Sequence, residues 1–212
     1  MRAFQPRLLV ATFNRGKARE LLRLLAPLGI EIVSLPDLGV GDPYEEGDGT
    51  YEENARGKAT HYAALGRLPA IADDSGLEVD ALGGRPGPQS ARYGGAGLDD
   101  TGRNRLLLEE LAGVAEARRT ARYVAVAALA RPAGDEAPLF RATCEGRIAP
   151  TSRGTHGFGY DSIFFYPPFS ATFGEIDDAR KDRVSHRGLA MAQVASFLAT
   201  AAGRHFLEPS TR

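Results

Sequence analysis

Two adjacent carboxylates, Asp73 and Asp74, follow the short apolar run of residues 70–72. Like charges side by side repel each other, so the pair predicts a positive charge close by. The pattern predicts that these acids end a buried strand, at the edge where open α/β sheets bind ligands. Mg²⁺ is held by one or two carboxylates together with substrate phosphates, and a carboxylate beside it can take a proton from water. A turn capped by an aspartate is the alternative interpretation.

A second motif, TFNRGK at residues 12–17, lies between a predicted strand and a predicted helix. The free N–H groups and the dipole of a helix N-terminus favour an anion there. Asn14 and Lys17 are three residues apart, so they can lie on one side of the first turn. The spacing matches neither GxxxxGK[ST] nor GxGxxG, which argues against a dinucleotide fold. An asparagine N-cap followed by a solvated lysine explains the motif as well.

An acidic loop with Glu45 and Glu46 precedes the next predicted helix. Within that helix Asn54 and Lys58 are four residues apart and therefore share one face. Acids near a helix start are stabilised by the helix dipole, so capping alone explains the glutamates.

Two further motifs lie in the C-terminal half. GFGYD at residues 157–161 places two aromatic rings between glycines and an acid, which could stack on a flat ring and bond to its edge. A hairpin turn with core aromatics is the alternative. Lys181 and the run SHRG at residues 185–188 place cations at a helix start, where the dipole opposes them, so an anionic or electron-rich partner is expected. The four histidines show no zinc-ligand spacing.

The elements that must position these residues alternate between strands and helices. Strand 8–12, helix 17–28 and strand 30–34 form the opening unit of a parallel α/β sheet. The strands predicted at 120–130 and 139–148 form an antiparallel hairpin around a turn at 132–138. The remaining predicted elements are helices 50–65, 99–111 and 185–202, and strands 70–73, 77–81 and 163–166.

The glycines and charges cluster in loops and not in a linker, which predicts one domain over residues 1–212 with a cleft. Residues 1–6 and 205–212 are expected to fray. The net charge of −1 gives no indication of nucleic acid or an anionic membrane as a partner. The single cysteine, Cys144, excludes an intramolecular disulfide and is predicted to be a half-buried strand residue. Neither a signal peptide nor a membrane-spanning run is evident, so a soluble cytoplasmic protein is expected.

The inventory of these motifs points to one kind of ligand. Three lysines, one arginine and a helix N-terminus suit a polyanion, the acids suit a metal, and the aromatic loop suits a base. Together they describe a site for a nucleoside triphosphate with Mg²⁺.

Five runs of the sequence resemble the inosine triphosphate pyrophosphatase family, the Ham1-like house-cleaning enzymes for dITP, ITP and XTP. The runs are TFNRGKARELLRLL, EEGDGTYEENARGKA, AIADDSGLEVDALGGRPGPQSARYGG, GTHGFGYDSIFF and KDRVSHRG. They follow the order of the family and span residues 12–188. The resemblance implies an elongated mixed α/β fold, with a long central sheet flanked by helices and a cleft between two lobes. It also implies a homodimer.

The resemblance implies the chemistry as well: a nucleoside triphosphate is cleaved to the monophosphate and pyrophosphate with Mg²⁺. Asp74 matches the proton acceptor for water, and Glu45 and Asp74 match the metal-binding acids. Asp73, next to Asp74, is predicted to bind the same metal. The residues that match triphosphate contacts are Thr12, Phe13, Asn14, Arg15, Gly16, Lys17 and Lys58. Ser75 matches a substrate contact, and the residues that match the base pocket are Phe158, Gly159, Tyr160, Asp161, Lys181, His186 and Arg187. Phe158 would stack, and Arg187 and His186 would face the 6-oxo group.

The chain departs from the family pattern at a few positions. Phe13 and Ser162 stand where the family usually has Gly and Pro, and Gly47–Asp48 replaces a usual Thr-Gly beside Glu45. Two alternative functions are open. One is a Maf-like nucleotide pyrophosphatase of other base specificity, against which the GFGYD and SHRG motifs argue. The other is a nucleotide sensor that does not hydrolyse, for which Asp74 would be dispensable.

Overall fold

The computed structural model describes residues 5–95, 97–132, 134 and 137–208. Its strands and α-helices, in chain order, are β1 (Arg7–Val10), α1 (Arg15–Leu25), β2 (Glu31–Ser34), α2 (Tyr51–Gly66), β3 (Ala70–Val79), β4 (Pro86–Gly87), α3 (Asp100–Glu110), β5 (Thr120–Ala130), β6 (Leu139–Ile148), β7 (Phe164–Tyr166), β8 (Ala171–Thr172), α4 (Asp178–Asp182), α5 (His186–Leu198) and α6 (Ala201–Phe206).

The strands form one eight-stranded mixed sheet in the order β2-β1-β3-β5-β6-β7-β8, with β4 beside β3. β1 pairs in parallel with β2 and with β3, where Leu9 lies opposite Ala70. β4 is antiparallel to β3, and β7 is antiparallel to β6 and β8. Leu8, Leu9 and Val10 are all buried because α1 and α2 pack on β1, as is typical of parallel strands. The predicted mixed α/β fold, with a central sheet flanked by helices, is confirmed.

Local capping explains where the first two long helices begin. The Asn14 side chain accepts a hydrogen bond from the Lys17 N–H and so caps α1. Thr50 and Glu53 form a capping box at the start of α2, in which each side chain bonds to the backbone N–H of the other residue.

The course of β3 corrects the predicted strand end after Asp73 and Asp74. β3 runs without interruption to Val79, so both acids lie within the strand and neither a strand end nor a capped turn occurs there. Gly76 makes this possible, because a Cβ at that position would collide with the Gly87 carbonyl of β4. The Ser90 hydroxyl accepts from the next N–H of the strand at 2.8 Å.

The C-terminal region also differs from the prediction of one helix over 185–202. α5 ends at Leu198, and Thr200 begins α6 by accepting from the Gly203 N–H at 3.1 Å. α6 contains His205 and Phe206, which were expected to fray. The rest of that expectation falls largely on residues 1–4 and 209–212, outside the described residues. Residues 133, 135 and 136 of the predicted hairpin turn also lie outside them, while β5 and β6 are neighbours in the sheet.

The chain divides into two compact units. The first lies within Met1–Asp74, Ala125–Arg141 and Leu189–Arg212, and the second within Ser75–Val124 and Ala142–Gly188. The single domain over residues 1–212 stays a prediction. Among the described residues, none of the helices combines the length and the apolar character that crossing a bilayer requires.

Candidate active site

The predicted site residues fall largely into two polar clusters, one in each unit. We call the first the carboxylate cluster, and its members are Lys17, Glu46, Asn54, Lys58, Asp73 and Asp74. We call the second the aromatic cluster, and its members are Ser75, Tyr123, Phe158, Asp161, Lys181, His186 and Arg187. The first contains the predicted acids Asp73 and Asp74. The second contains five of the predicted base-pocket residues, namely Phe158, Asp161, Lys181, His186 and Arg187.

The Lys58 ammonium group is the centre of the carboxylate cluster. Its Nζ lies 2.6 Å from Glu46 Oε1, 3.2 Å from Asp74 Oδ1 and 2.8 Å from the carbonyl oxygen of Asp73. All three contacts use oxygen acceptors, and the ammonium group has three hydrogens to donate. Lys58 and Asp74 are both buried, so solvent screens their attraction only weakly.

Asp73 and Asp74 extend the cluster in two further directions. Asn54 donates from Nδ2 to Asp74 Oδ2 at 3.2 Å, so both oxygens of this carboxylate are bound by one face of α2. The Lys17 ammonium lies 3.5 Å from Asp73 Oδ2. The adjacent acids are therefore paired with lysines from two different helices. These lysines supply the nearby positive charge that the sequence predicts.

Burial and charge set the titration of the central pair. Desolvation raises the pKa of the Asp74 carboxyl, and the nearby ammonium groups of Lys58 and Lys17 only partly oppose it. Desolvation alone would lower the pKa of Lys58, but the charges of Asp74, Glu46 and Asp73 outweigh it and the pKa is raised. Asp74 is thus a buried carboxylate of increased basicity, which is the property that a general base for water requires.

The TFNRGK motif agrees with its capping interpretation in part. Asn14 caps α1, as the structural interpretation predicts, and the Thr12 hydroxyl accepts from the Asn14 N–H at 3.2 Å. Lys17 is not a solvated lysine, since it is paired with buried Asp73. Phe13 and Arg15 are exposed, and the Phe13 ring lies edge-on to Tyr62 with centroids 6.2 Å apart.

The acidic loop contributes its second glutamate to the cluster. Glu46 is paired with Lys58, whereas Glu45, the predicted metal ligand, is exposed. The loop is fixed to α2 by Tyr62, whose hydroxyl accepts from the Tyr44 N–H at 2.6 Å and donates to the Asp42 carbonyl at 3.1 Å. In the described part of the chain, no three His, Cys, Asp or Glu side chains are already arranged around a metal position.

An ion pair organises the aromatic cluster. Lys181 Nζ lies 2.5 Å from Asp161 Oδ2, and both side chains are almost completely buried. The same carboxylate accepts from the Phe158 N–H at 2.9 Å and from the Tyr123 hydroxyl at 3.3 Å. Gly157 has a φ of 74°, and a Cβ there would collide with the Asp161 carboxylate, so the loop reaches this acid only with glycine at that position.

His186 and Arg187 extend from the start of α5 into this cluster. The His186 ring is stacked on Tyr123, with centroids 4.4 Å apart and an interplanar angle of 8°. Arg187 donates from Nη2 to the Ser75 hydroxyl at 2.8 Å, and its guanidinium lies 5.7 Å from the Phe158 ring centroid. The planar donor groups of this cluster can therefore meet the oxygens of a flat, polar ring.

The two aromatic residues of GFGYD have separate roles. Tyr160 packs in the core of the second unit and donates its hydroxyl to the Ser90 carbonyl at 2.9 Å, as the core interpretation predicts. Phe158 is only partly buried, and the Lys181 ammonium lies 5.3 Å from its ring centroid. Phe158 is therefore the ring of this loop that can stack on a ligand.

Comparison with known proteins identifies the family. The model of the Ham1 family matches residues 8–197. The chain belongs to the Ham1 family. It is 48% identical over 186 residues to the dITP/XTP pyrophosphatase of Thioalkalivibrio sulfidiphilus (strain HL-EbGR7), a match that covers 87% of this chain and 94% of that protein. A second dITP/XTP pyrophosphatase, from Aromatoleum aromaticum (strain DSM 19018 / LMG 30748 / EbN1), is 46% identical over 92% of this chain and 98% of its own length.

The fold agrees with that of a solved Ham1 protein. The structure of a HAM1 protein from Coxiella burnetii superposes with a TM-score of 0.82 at 37% identity, covering 92% of this chain and 98% of that chain. The resemblance to the inosine triphosphate pyrophosphatases, the Ham1-like proteins, is therefore confirmed. Membership of the Ham1 family favours an inosine triphosphate pyrophosphatase over the Maf-like alternative.

This Ham1 chain also contains cluster residues that were not among the predicted site residues. Asn54 and Glu46 belong to the carboxylate cluster, and Tyr123 belongs to the aromatic cluster. The four-residue spacing of Asn54 and Lys58 is a local signal that places Asn54 on the same helix face as Lys58. Tyr123 has no local signal, because it lies in an apolar strand and meets His186 only through the tertiary fold.

Proposed function

We propose that the chain hydrolyses non-standard purine nucleoside triphosphates (dITP, ITP, XTP and dXTP) to the monophosphate and pyrophosphate, and so removes them from the nucleotide pool. Relatives at 46–48% identity are dITP/XTP pyrophosphatases. The observation that carries the proposal is the buried Asp74 carboxylate, held by Lys58 and Asn54 in the same cluster as Lys17. A carboxylate that could act as a general base and two ammonium groups that could bind phosphates are thereby present together.

The carboxylate cluster would bind the triphosphate and activate water. Lys17 and Lys58 would neutralise phosphate oxygens, and the N-terminal turn of α1 with residues 12–16 would add backbone donors. Asp74, whose pKa is raised by burial, would take a proton from the attacking water. Positioning and charge neutralisation would provide most of the rate, as in other phosphoryl transfers.

The oxygen ligands of the carboxylate cluster fit Mg²⁺. Its acids are hard carboxylate ligands of the kind that Mg²⁺ binds, and substrate phosphates and waters would complete the coordination. Asp73 and Asp74 of the cluster would hold the ion together with the exposed Glu45, and Glu46, already paired with Lys58, is a further acid of the cluster. When bound, Mg²⁺ would neutralise developing charge on the phosphates and lower the pKa of water.

The aromatic cluster would select the base. Phe158 would stack on the purine, and Arg187 and His186 would donate to O6 of hypoxanthine or xanthine. Ser75, Asp161 and Lys181 would form the remaining contacts, whereas Tyr160 packs in the core and the backbone of Gly159 is bonded to α3. Adenine carries a donor at that position, so a pocket of donors would be left with unpaired polar groups, a mismatch that discriminates strongly.

We further propose a cytoplasmic homodimer that acts on free nucleotides, without nucleic acid or a membrane as a partner. The family resemblance supports the dimer, and the near-zero net charge supports the small-molecule substrate. Size-exclusion chromatography with light scattering would measure the oligomeric state. A monomeric mass at micromolar concentration would contradict the dimer.

Turnover of ITP, XTP, dITP, GTP and ATP with Mg²⁺ tests the proposed function, with pyrophosphate and orthophosphate assayed separately. We expect pyrophosphate from the oxo purines, little from ATP or GTP, and loss of turnover with EDTA that added Mg²⁺ restores. Binding of ITP without turnover would indicate a sensor. Equal use of all five nucleotides, or release of orthophosphate, would contradict the assigned base pocket or the site of water attack.

A further inference from the structure

Helix α3 holds both polar groups of one residue in the GFGYD loop. The Gly159 N–H donates to Asp100 Oδ2 at 2.7 Å, and Asn104 Nδ2 donates to the Gly159 carbonyl at 3.1 Å. Asp100 and Asn104 are one turn apart and so face the same side of the helix. A hydrogen bond on each side of Gly159 restricts its rotation as well as its position.

Asn104 is oriented by its acceptors. It is 5% exposed, and its Nδ2 donates to the Ser162 hydroxyl at 3.0 Å in addition to the Gly159 carbonyl. Both partners accept, so the amide nitrogen must face them. The second contact depends on the hydroxyl group of Ser162.

The clamped residue lies between the functional residues of the loop. Gly159 follows Phe158 directly, and the Phe158 ring lies near the Lys181 ammonium and the Arg187 guanidinium. The Phe158 N–H also donates to Asp161 Oδ2. A shift of the Gly159 peptide would therefore move the stacking ring relative to the cations beside it.

We propose that Asp100 and Asn104 are positioning residues for base recognition, which fix the Phe158 ring by clamping Gly159. This inference rests on the proposed function. Neither side chain needs to touch the nucleotide. The clamp acts on the base and not on the phosphates, because Lys17, Lys58 and Asp74 belong to the carboxylate cluster of the other unit.

Substitution of Asn104 separates this role from a merely structural one. Asn104→Leu keeps the number and branching of the side-chain heavy atoms but removes the donor. We expect kcat/KM for ITP to fall by about 10-fold to 100-fold, mainly through KM, since displacing a positioned group by 1 Å can cost that much. The value for ATP should fall less, so that the ITP-to-ATP ratio narrows. Arg105→Ala, an exposed change on the same helix, is the matched control and should leave the ratio unchanged.

Asp100 gives a second test at an exposed position, in case Asn104→Leu does not fold. Asp100→Asn retains an acceptor oxygen for the Gly159 N–H, whereas Asp100→Ala does not. We expect Asp100→Asn to keep the wild-type ITP-to-ATP ratio and Asp100→Ala to lower it. Hydrogen exchange of the Gly159 N–H should be faster in Asp100→Ala than in wild type, and it should be unchanged in Asp100→Asn.

The outcomes separate this inference from the function on which it rests. An active wild-type enzyme with an unchanged ITP-to-ATP ratio in both Asn104→Leu and Asp100→Ala would overturn the clamp alone. Equal losses for ITP and ATP would also overturn it, since they indicate a structural role only. A wild-type protein that hydrolyses none of the nucleotides would overturn the proposed function and the inference together.

Discussion

The Lys58 ammonium lies 3.2 Å from Oδ1 of Asp74, and both side chains are buried. Each charge therefore depends on the other, since an unpaired charge in a protein interior is costly. Lys58 is also bound to Glu46 and to the Asp73 carbonyl, so one ammonium group organises three parts of the cluster. Its charge partly opposes the rise in the pKa of Asp74 that burial causes.

Replacement of Lys58 by methionine should destabilise the protein. The change leaves Asp74 buried without its nearest cation, and removing one partner of a buried pair costs about 3–5 kcal/mol. Urea unfolding measures this loss. As a control, Arg141→Met removes a cation paired with Glu52 on the surface, for which at most about 1 kcal/mol is expected. Equal losses of unfolding free energy in the two variants would mean that the buried Lys58–Asp74 pair stabilises the protein no more than a surface ion pair does.

Asp74→Asn should remove catalysis but retain binding. The amide cannot accept the proton of water, so kcat for ITP should fall by about 10²-fold to 10⁴-fold. Calorimetric titration should still detect ITP binding to the variant, because the lysines remain. Glu145→Gln, an exposed acid on β6, serves as the control and should keep wild-type turnover. Full activity of Asp74→Asn would exclude the assigned base.

Lys17→Ala should weaken binding of the triphosphate. The variant loses the ammonium group that is paired with Asp73 and would contact the phosphates, so KM for ITP should rise and kcat/KM should fall. Steady-state kinetics with ITP and with inosine diphosphate as a competitor measure the effect. The Asn14 cap of α1 does not depend on the lysine side chain, because it uses the Lys17 backbone N–H. An unchanged kcat/KM would remove Lys17 from the site.

Arg187→Ala should narrow the preference for ITP over ATP. The guanidinium is the donor assigned to O6, so its loss should lower kcat/KM for ITP. The value for ATP should fall less or rise, because the variant has no donor opposite the amino group of adenine. Ratios of kcat/KM for the two nucleotides measure this preference. Arg187→Lys keeps the charge but not the planar fork, so an intermediate ratio is expected. If Arg187→Ala keeps the wild-type ratio, another residue reads O6.

Cys144 should be inert in the native protein. It lies buried on β6, more deeply than its predicted half-buried position, and burial raises the pKa of its thiol from 9.0 to about 12. The thiolate is the reactive form, so native protein at pH 8 should react slowly with a thiol reagent, and urea-unfolded protein should react at one site per chain.

The same shift gives Cys144 a pH dependence of known sign. Since the folded pKa is raised, the contribution of the thiol to stability is fully present below pH 9 and is lost as the pH rises towards 12. Urea unfolding of wild type and Cys144→Ala at pH 8 and pH 10 checks this sign. The free energy of unfolding of wild type should fall relative to that of Cys144→Ala between the two pH values. Rapid labelling of the native thiol at pH 8 would contradict the burial.

The strand–helix–strand opening, the helix starts at Asn14 and Thr50 and the long strands β5 and β6 could all be predicted from the sequence. Their signals are local, because a capping side chain bonds within three residues, β5 is largely apolar and β6 alternates between polar and apolar residues. The course of β3 could not be predicted correctly, because the sequence suggests a strand end at the two acids and the strand continues to Val79. Two acids suggest an exposed terminus, but lysines from other elements neutralise them inside the sheet.

The sequence by itself determined which chemical groups this protein has, their order along the chain and the family to which it belongs. Only the tertiary structure decided which of them meet: Glu46 and not Glu45 on Lys58, Tyr123 on His186, and Asn104 on a loop 55 residues later in the chain. Local spacing fixes helix caps and faces because those contacts span a few residues. Contacts between distant segments depend on how strands and helices pack, which no short motif specifies.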